Sequence, residues 1–87
     1  MPDTTASILI VDDENSIRTS LSLLFQEMGY SVRSVENGLS ALFEIGQMIP
    51  DILLCDLNMP GMSGFDLLSA VRRRYPAIRV IAMSGAF

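Results

Sequence analysis

Ile8-Leu9-Ile10-Val11-Asp12-Asp13-Glu14 and Ile52-Leu53-Leu54-Cys55-Asp56-Leu57-Asn58 decide the fold. Each opens as a short unbroken apolar block and closes on carboxylates. Continuous hydrophobicity marks a strand covered on both faces, whereas a strand with one wet face alternates. Two further β-branched blocks, at Ser31–Val35 and Ile78–Met83, lie outward of this pair. The segments between them carry helical spacing. Ile17, Leu21, Leu24, Phe25 and Met28 form one apolar stripe, with Gly29 as a C-terminal stop. Asn37-Gly38 opens a second helix with Leu42 and Ile45 inward, limited by Pro50. A third starts near Gly64, with Phe65, Leu68, Val71 and Tyr75 on its inner face. Arg72, Arg73 and Arg74 sit in its last turn, where cations suit the helix dipole, and Pro76 ends it.

Strands alternating with helices in this order predict an α/β fold built on a parallel sheet with right-handed crossovers. The length of 87 residues allows one small domain. Residues 1–6 read as an N-terminal tail and 7–87 as the domain. Apolar residues make up 49% of the chain and charged ones 18%. That richness suits a sheet buried on both faces better than a membrane segment, because no apolar run nears the roughly 20 residues a spanning helix needs. The N-terminal Met-Pro-Asp-Thr-Thr-Ala-Ser has neither the basic residues nor the apolar core of a signal peptide.

Ten acids stand against six arginines, for a net charge of −4, so direct contact of this segment with nucleic acid is not expected. There is no histidine and no lysine. A histidine metal site, a Ser-His-Asp triad and a histidine phosphocarrier are thereby excluded within the chain. The single cysteine, Cys55, sits in an apolar run and reads as a small core residue of a reducing, cytoplasmic compartment.

Ligands of open parallel sheets bind beyond the carboxyl ends of the strands, where the winding reverses. Asp12 and Asp13 follow the first strand and Asp56 the third. Singly, each has a plain explanation: Asp13 as a helix N-cap, Asp56 as the start of a turn. With the first and third strands adjacent, however, three carboxylates converge. Their repulsion calls for a hard cation, and oxygen-only ligands suit magnesium. A flavodoxin-like nucleotide site needs a hydroxyl- or glycine-rich loop after the first strand, whereas Asp12-Asp13-Glu14-Asn15 repels phosphate. A haloacid-dehalogenase-type phosphatase carries a second Asp two residues beyond its nucleophile, and Asn58 stands there.

These residues, with Pro50-Asp51 before the third strand, Met59-Pro60-Gly61-Met62-Ser63-Gly64 after it and Ile81-Ala82-Met83-Ser84-Gly85 at the fourth, resemble the receiver domain of two-component response regulators. The resemblance runs from about Ser7 to Phe87. It implies a flavodoxin-like, doubly wound sheet of order two-one-three-four-five. It implies that Asp56 accepts a phosphoryl group from a sensor histidine kinase or phosphotransfer protein and switches an output domain of a longer protein. Magnesium would be held by Asp12, Asp13, Asp56 and the backbone carbonyl of Asn58. Ser84 takes the switch position that hydrogen-bonds a phosphoryl oxygen. Such a domain is a signalling module rather than an enzyme, although it assists its own phosphorylation and dephosphorylation. Pro60, Gly61 and Gly64 shape the loop beside the site.

A complete receiver continues past Ser84 through a helix, a fifth strand bearing a lysine, and a last helix. On that comparison this chain is truncated after its fourth strand, and the lysine is absent. The competing reading is a phosphorylation-independent interaction module or inactive fragment. A fourth strand left as an uncovered edge further predicts self-association, with Val80 and Ala82, or Ile81 and Met83, short of packing partners.

Overall fold

The computed structural model describes residues 5–59 and 61–83. Its elements run β1 (Ser7–Val11), α1 (Asn15–Glu27), β2 (Ser31–Val35), α2 (Gly38–Gln47), β3 (Ile52–Asp56), α3 (Gly64–Arg74) and β4 (Arg79–Met83). All pairings are parallel and the sheet order is β2-β1-β3-β4. The two blocks with unbroken hydrophobicity are the central strands. Ser84 and Pro60 lie outside the described residues. No helix among the described residues is long and apolar enough to cross a membrane.

Side chains alternate across a strand, so β1 feeds two cores. Leu9 and Val11 join Leu53 and Cys55 against Ala41 and Ile45 of α2 and Leu67 and Val71 of α3. Ile8 and Ile10 join Leu54 on the opposite face, under Leu21 and Phe25 of α1. Helices on both faces make the sheet doubly wound, as anticipated.

The helix ends are fixed locally. The Asn37 side chain accepts from the Ser40 amide at 2.8 Å and the Ser63 hydroxyl from the Asp66 amide at 3.2 Å, so α2 and α3 are both N-capped. Arg33 reaches from β2 to the other end of α2. It donates to the Glu44 carbonyl at 3.2 Å, the Glu44 carboxylate at 3.0 Å and the Met48 carbonyl at 2.6 Å. A cation on the last carbonyls both satisfies them and matches the dipole. Tyr75 leaves α3 ahead of Pro76, whose ring disfavours helical backbone in the residue before it.

Five details differ from the sequence reading. No residue of α1 is buried: Leu24 and Met28 of the stripe are 52% and 61% exposed, and Leu21 and Phe25 are half-buried. α1 supplies all the helical residues packed on its face of the sheet, and one helix covers only what lies beneath it. Next to it runs an apolar groove of about 120 Å³ lined by Ile8, Phe25, Tyr30, Ile52, Leu54 and Ile81. In α3 the inward residues are Gly64, Leu67 and Val71, with Leu68 and Tyr75 packed at the margin, while Phe65 is 64% exposed. The N-cap of α1 is Glu14, not Asp13, and its side chain makes no capping bond. β4 begins at Arg79, leaving Ile78 buried just ahead of it. Along β4, Val80 and Met83 find packing partners in the two cores, whereas Ile81 and Ala82 are exposed.

The phase of α3 is set by Gly64. A Cβ on this residue would collide with the Asp56 carbonyl oxygen and the Leu57 Cα, both backbone atoms that no rotamer change can move. Only glycine lets the helix start so close to the end of β3. Gly64→Ala is therefore expected to lower stability by about 1–3 kcal/mol, the usual range for overpacking. Urea unfolding monitored by circular dichroism measures it. An unchanged midpoint would show that the helix start can shift at no cost.

Candidate functional site

Parallel pairing sets Val11 beside Cys55, which brings Asp12, just past β1, next to Asp56 at the end of β3. Asp13 follows on the same loop. One carboxylate oxygen from each of Asp12, Asp13 and Asp56 lies within 4.8 Å of the others. All three residues expected to converge do so, at the carboxyl edge of the two central strands. Asp12 is buried at 5% exposure, Asp56 is half-buried and Asp13 is exposed.

The trio is held mostly through backbone groups. The Asp12 amide donates to the Val35 carbonyl at 3.2 Å, extending the β1–β2 ladder by one residue. Asp12 Oδ1 accepts from the Glu14 amide at 2.9 Å, a short turn that aims the carboxylate back along the loop. Asp56 Oδ1 accepts from the Asn58 amide at 2.9 Å, while its other oxygen has no hydrogen-bond partner among the described residues. Asn58 is thus set at the rim of the site. Asp13, exposed, makes no side-chain hydrogen bond among the described residues.

Burial is the main cause that pushes the Asp12 carboxyl above its ordinary range. The Glu14 amide opposes it, the charges of Asp56 and Asp13 add to it, and Arg18 draws it back. The Cys55 thiol, buried beneath Asp56 and Asp12, is pushed up to about 12, so it stays protonated and is no nucleophile. It remains the small core residue anticipated.

Three oxygen-only carboxylates within reach of one another, with no lysine in the chain, suit a hard divalent cation. Soft metals suit the trio less, since all three of its ligand groups are hard carboxylate oxygens. The residues therefore fit magnesium. They also suit a strand-end nucleophile, because one Asp56 carboxylate oxygen has no hydrogen-bond partner among the described residues.

Sequence reasoning missed Arg18. Its guanidinium donates to the Asp12 carbonyl at 2.8 Å and to Asn15 Oδ1 at 3.2 Å, and it lines a cleft of about 280 Å³ with Ser34, Val35, Glu36 and Ser40. A signal was present: a cation in the first turn of a helix opposes the dipole and needs a reason to be there.

A family profile described as the response regulator receiver domain matches residues 8–87. The DNA-binding transcriptional regulator NtrC of Escherichia coli is 38% identical over 78 residues, covering 90% of this chain and 17% of NtrC. Sporulation initiation phosphotransferase F of Bacillus subtilis is 40% identical over 78 residues, covering 90% of this chain and 63% of that protein. The chain therefore spans less than two thirds of these relatives. Among solved structures, the response regulator TrrA of Thermotoga maritima in complex with Mg(2+)-BeF superposes with a TM-score of 0.88 at 34% identity, over 92% of this chain and 70% of that one. TrrA in complex with histidine kinase ThkA gives 0.89 at 32% identity, over 95% and 72%.

The raised pKa of Asp12 fixes the sign of a pH effect. Its folded value lies above the unfolded one, near 3.8, so the native state binds more protons between the two. Stability then falls as pH rises through that window, and the penalty is complete above the folded value. Asp12→Asn keeps an oxygen for the Glu14 amide and removes the charge. In the absence of divalent cations it is expected to stabilise the protein near neutral pH, with the gain shrinking as pH drops toward 3.8. Chemical denaturation across pH checks this. A gain that does not vary with pH would remove Asp12 ionisation as its cause.

Proposed function

The chain belongs to the response regulator receiver domain family, and from that premise we propose that Asp56 is its phosphoacceptor, served by magnesium bound at Asp12, Asp13 and Asp56. The observation that carries the reading is the convergence of the three carboxylates, with one Asp56 oxygen unpartnered among the described residues. In the transfer, that oxygen attacks the phosphorus of a phosphohistidine on a sensor kinase or phosphotransfer protein. The P–N bond breaks, the imidazole leaves, and an aspartyl phosphate forms. Magnesium, when bound, offsets the negative charge of carboxylate and phosphoryl group and aligns them for in-line displacement.

The chain's own residues do the rest. The Asn58 amide orients Asp56, and the Asn58 carbonyl is assigned as a further ligand of the cation. Bonds to Glu14 and Val35 hold Asp12 beside Asp56. Ser84 is assigned the hydrogen bond to a phosphoryl oxygen after transfer. The chain assists its own phosphorylation and dephosphorylation without being a turnover enzyme. TrrA, crystallised with Mg(2+)-BeF and with histidine kinase ThkA, supports both the cation and the partner class. An output domain elsewhere in a longer, cytoplasmic protein fits the share of NtrC that the chain spans. Direct nucleic-acid contact by this acidic segment, of net charge −4, is not proposed.

Incubation with a small acyl phosphate and magnesium is expected to add one alkali-labile, hydroxylamine-labile phosphoryl group at Asp56, detected by mass spectrometry. Labelling should be slow, because no lysine is present to pair with the phosphoryl oxygens. Chelation or Asp56→Asn should abolish it. Equal labelling of Asp56→Ala protein would take the acceptor role from Asp56 and favour the phosphorylation-independent module.

The same strand order supports self-association of the 87-residue chain. Among the described residues β4 is an edge strand with no partner on its outer side, and Ile81 in it is 52% exposed. An unpaired apolar edge is a template for another strand. Sedimentation at micromolar concentration is expected to show a concentration-dependent dimer. A monomer whose β4 amides exchange slowly would contradict it.

A further inference from the structure

We infer that Arg18 is a positioning residue for the metal-binding loop, acting through the backbone of Asp12; this rests on the magnesium reading above. The peptide that carries the Asp12 carbonyl also carries the Asp13 amide, so a bond to that carbonyl sets the plane linking two of the three carboxylates. β1 has ended at Val11, and the Asp12 carbonyl receives no backbone donor among the described residues. Arg18 Nη1 supplies one at 2.8 Å, while Nη2 grips Asn15 Oδ1 at 3.2 Å. The Arg18 amide itself bonds the Glu14 carbonyl at 3.1 Å. One side chain thus ties the end of β1 to the first turn of α1 and closes the loop Asp12-Asp13-Glu14 from its far side. The planar fork of arginine reaches both acceptors together, and the single ammonium of lysine cannot.

Charge and position act in opposite directions here, which makes the inference decidable. A cation beside a metal site repels the metal, so if Arg18 acted by charge alone its removal would tighten magnesium binding. If it acts by orienting ligands, its removal weakens binding. Groups that orient metal ligands from behind change affinity about 10–100-fold when lost. That exceeds the effect of one partly screened charge, so weakening should prevail.

The test is magnesium titration by calorimetry or NMR on the parent, Arg18→Lys and Arg18→Met, with amide hydrogen exchange on the metal-free proteins. Both variants are expected to bind magnesium about tenfold more weakly. The Glu14 amide, which bonds the Asp12 carboxylate, should exchange faster in both while the Leu53 amide in β3 stays protected. A purely structural role would speed both amides together. Arg18→Lys preserves the charge and guards against a misfolded Arg18→Met. Affinities within twofold of the parent, or tighter binding by Arg18→Met, would overturn the inference and leave the magnesium site standing. A parent that binds no magnesium would overturn the site reading and this inference with it.

Discussion

Carboxylates at the ends of adjacent parallel strands repel each other at the place where the fold most restricts their escape. Everything at the carboxyl edge of the sheet follows from that constraint. The β1–β3 register seats Asp12 beside Asp56, and the walls are the apolar side chains of the two central strands. Water is scarce around Asp12, which is 5% exposed, so its charge is poorly solvated and its neighbours' charges poorly screened. Backbone amides from Glu14 and Asn58 relieve part of this by donating to the Asp12 and Asp56 carboxylates. They leave the excess charge in place, because an amide is a dipole and not a cation.

The rest of the molecule makes that register rigid. Ile8 and Ile10 lie in one core and Leu9 and Val11 in the other, so a one-residue slip of β1 would exchange every contact at once. Asp51 ties the opposite ends of the same strands. Its carboxylate accepts from the Ser7 amide at 2.7 Å, and its own amide bonds the Ser7 carbonyl at 3.0 Å. The pair is pinned at the amino end by a hydrogen-bonded clasp and along its length by two cores, and the acids at the carboxyl end have no freedom to slide apart.

Much of this was legible in the sequence because it rests on short-range rules. Unbroken apolar blocks named the central strands, Asn37 and Gly64 marked helix starts, and carboxylates after two buried strands placed the site. What escaped legibility depends on neighbours. Periodicity showed that α1 is amphipathic, but Leu24 and Met28 could be called inward only by assuming something packed against them. The phase of α3 turned on Gly64 meeting the Asp56 carbonyl, a contact across a loop, and Phe65 went outward as a result. Arg18 was missed because its target is a backbone carbonyl, which looks the same in every residue type.

Stability and affinity at this site are one quantity seen from two sides. The desolvated, mutually repelling carboxylates destabilise the metal-free fold, and the unfolded chain, with its acids apart and hydrated, feels no such cost. On the proposed reading a divalent cation binds the folded arrangement alone, so the free energy it releases appears directly as added stability, rising with the logarithm of its concentration. Neutralising the trio by mutation gives that stability permanently and leaves the cation nothing to hold. On that reading, acids held at the edge of two tightly packed strands let even weak binding shift the folding balance, because native domains in general stand only about 5–15 kcal/mol from unfolding.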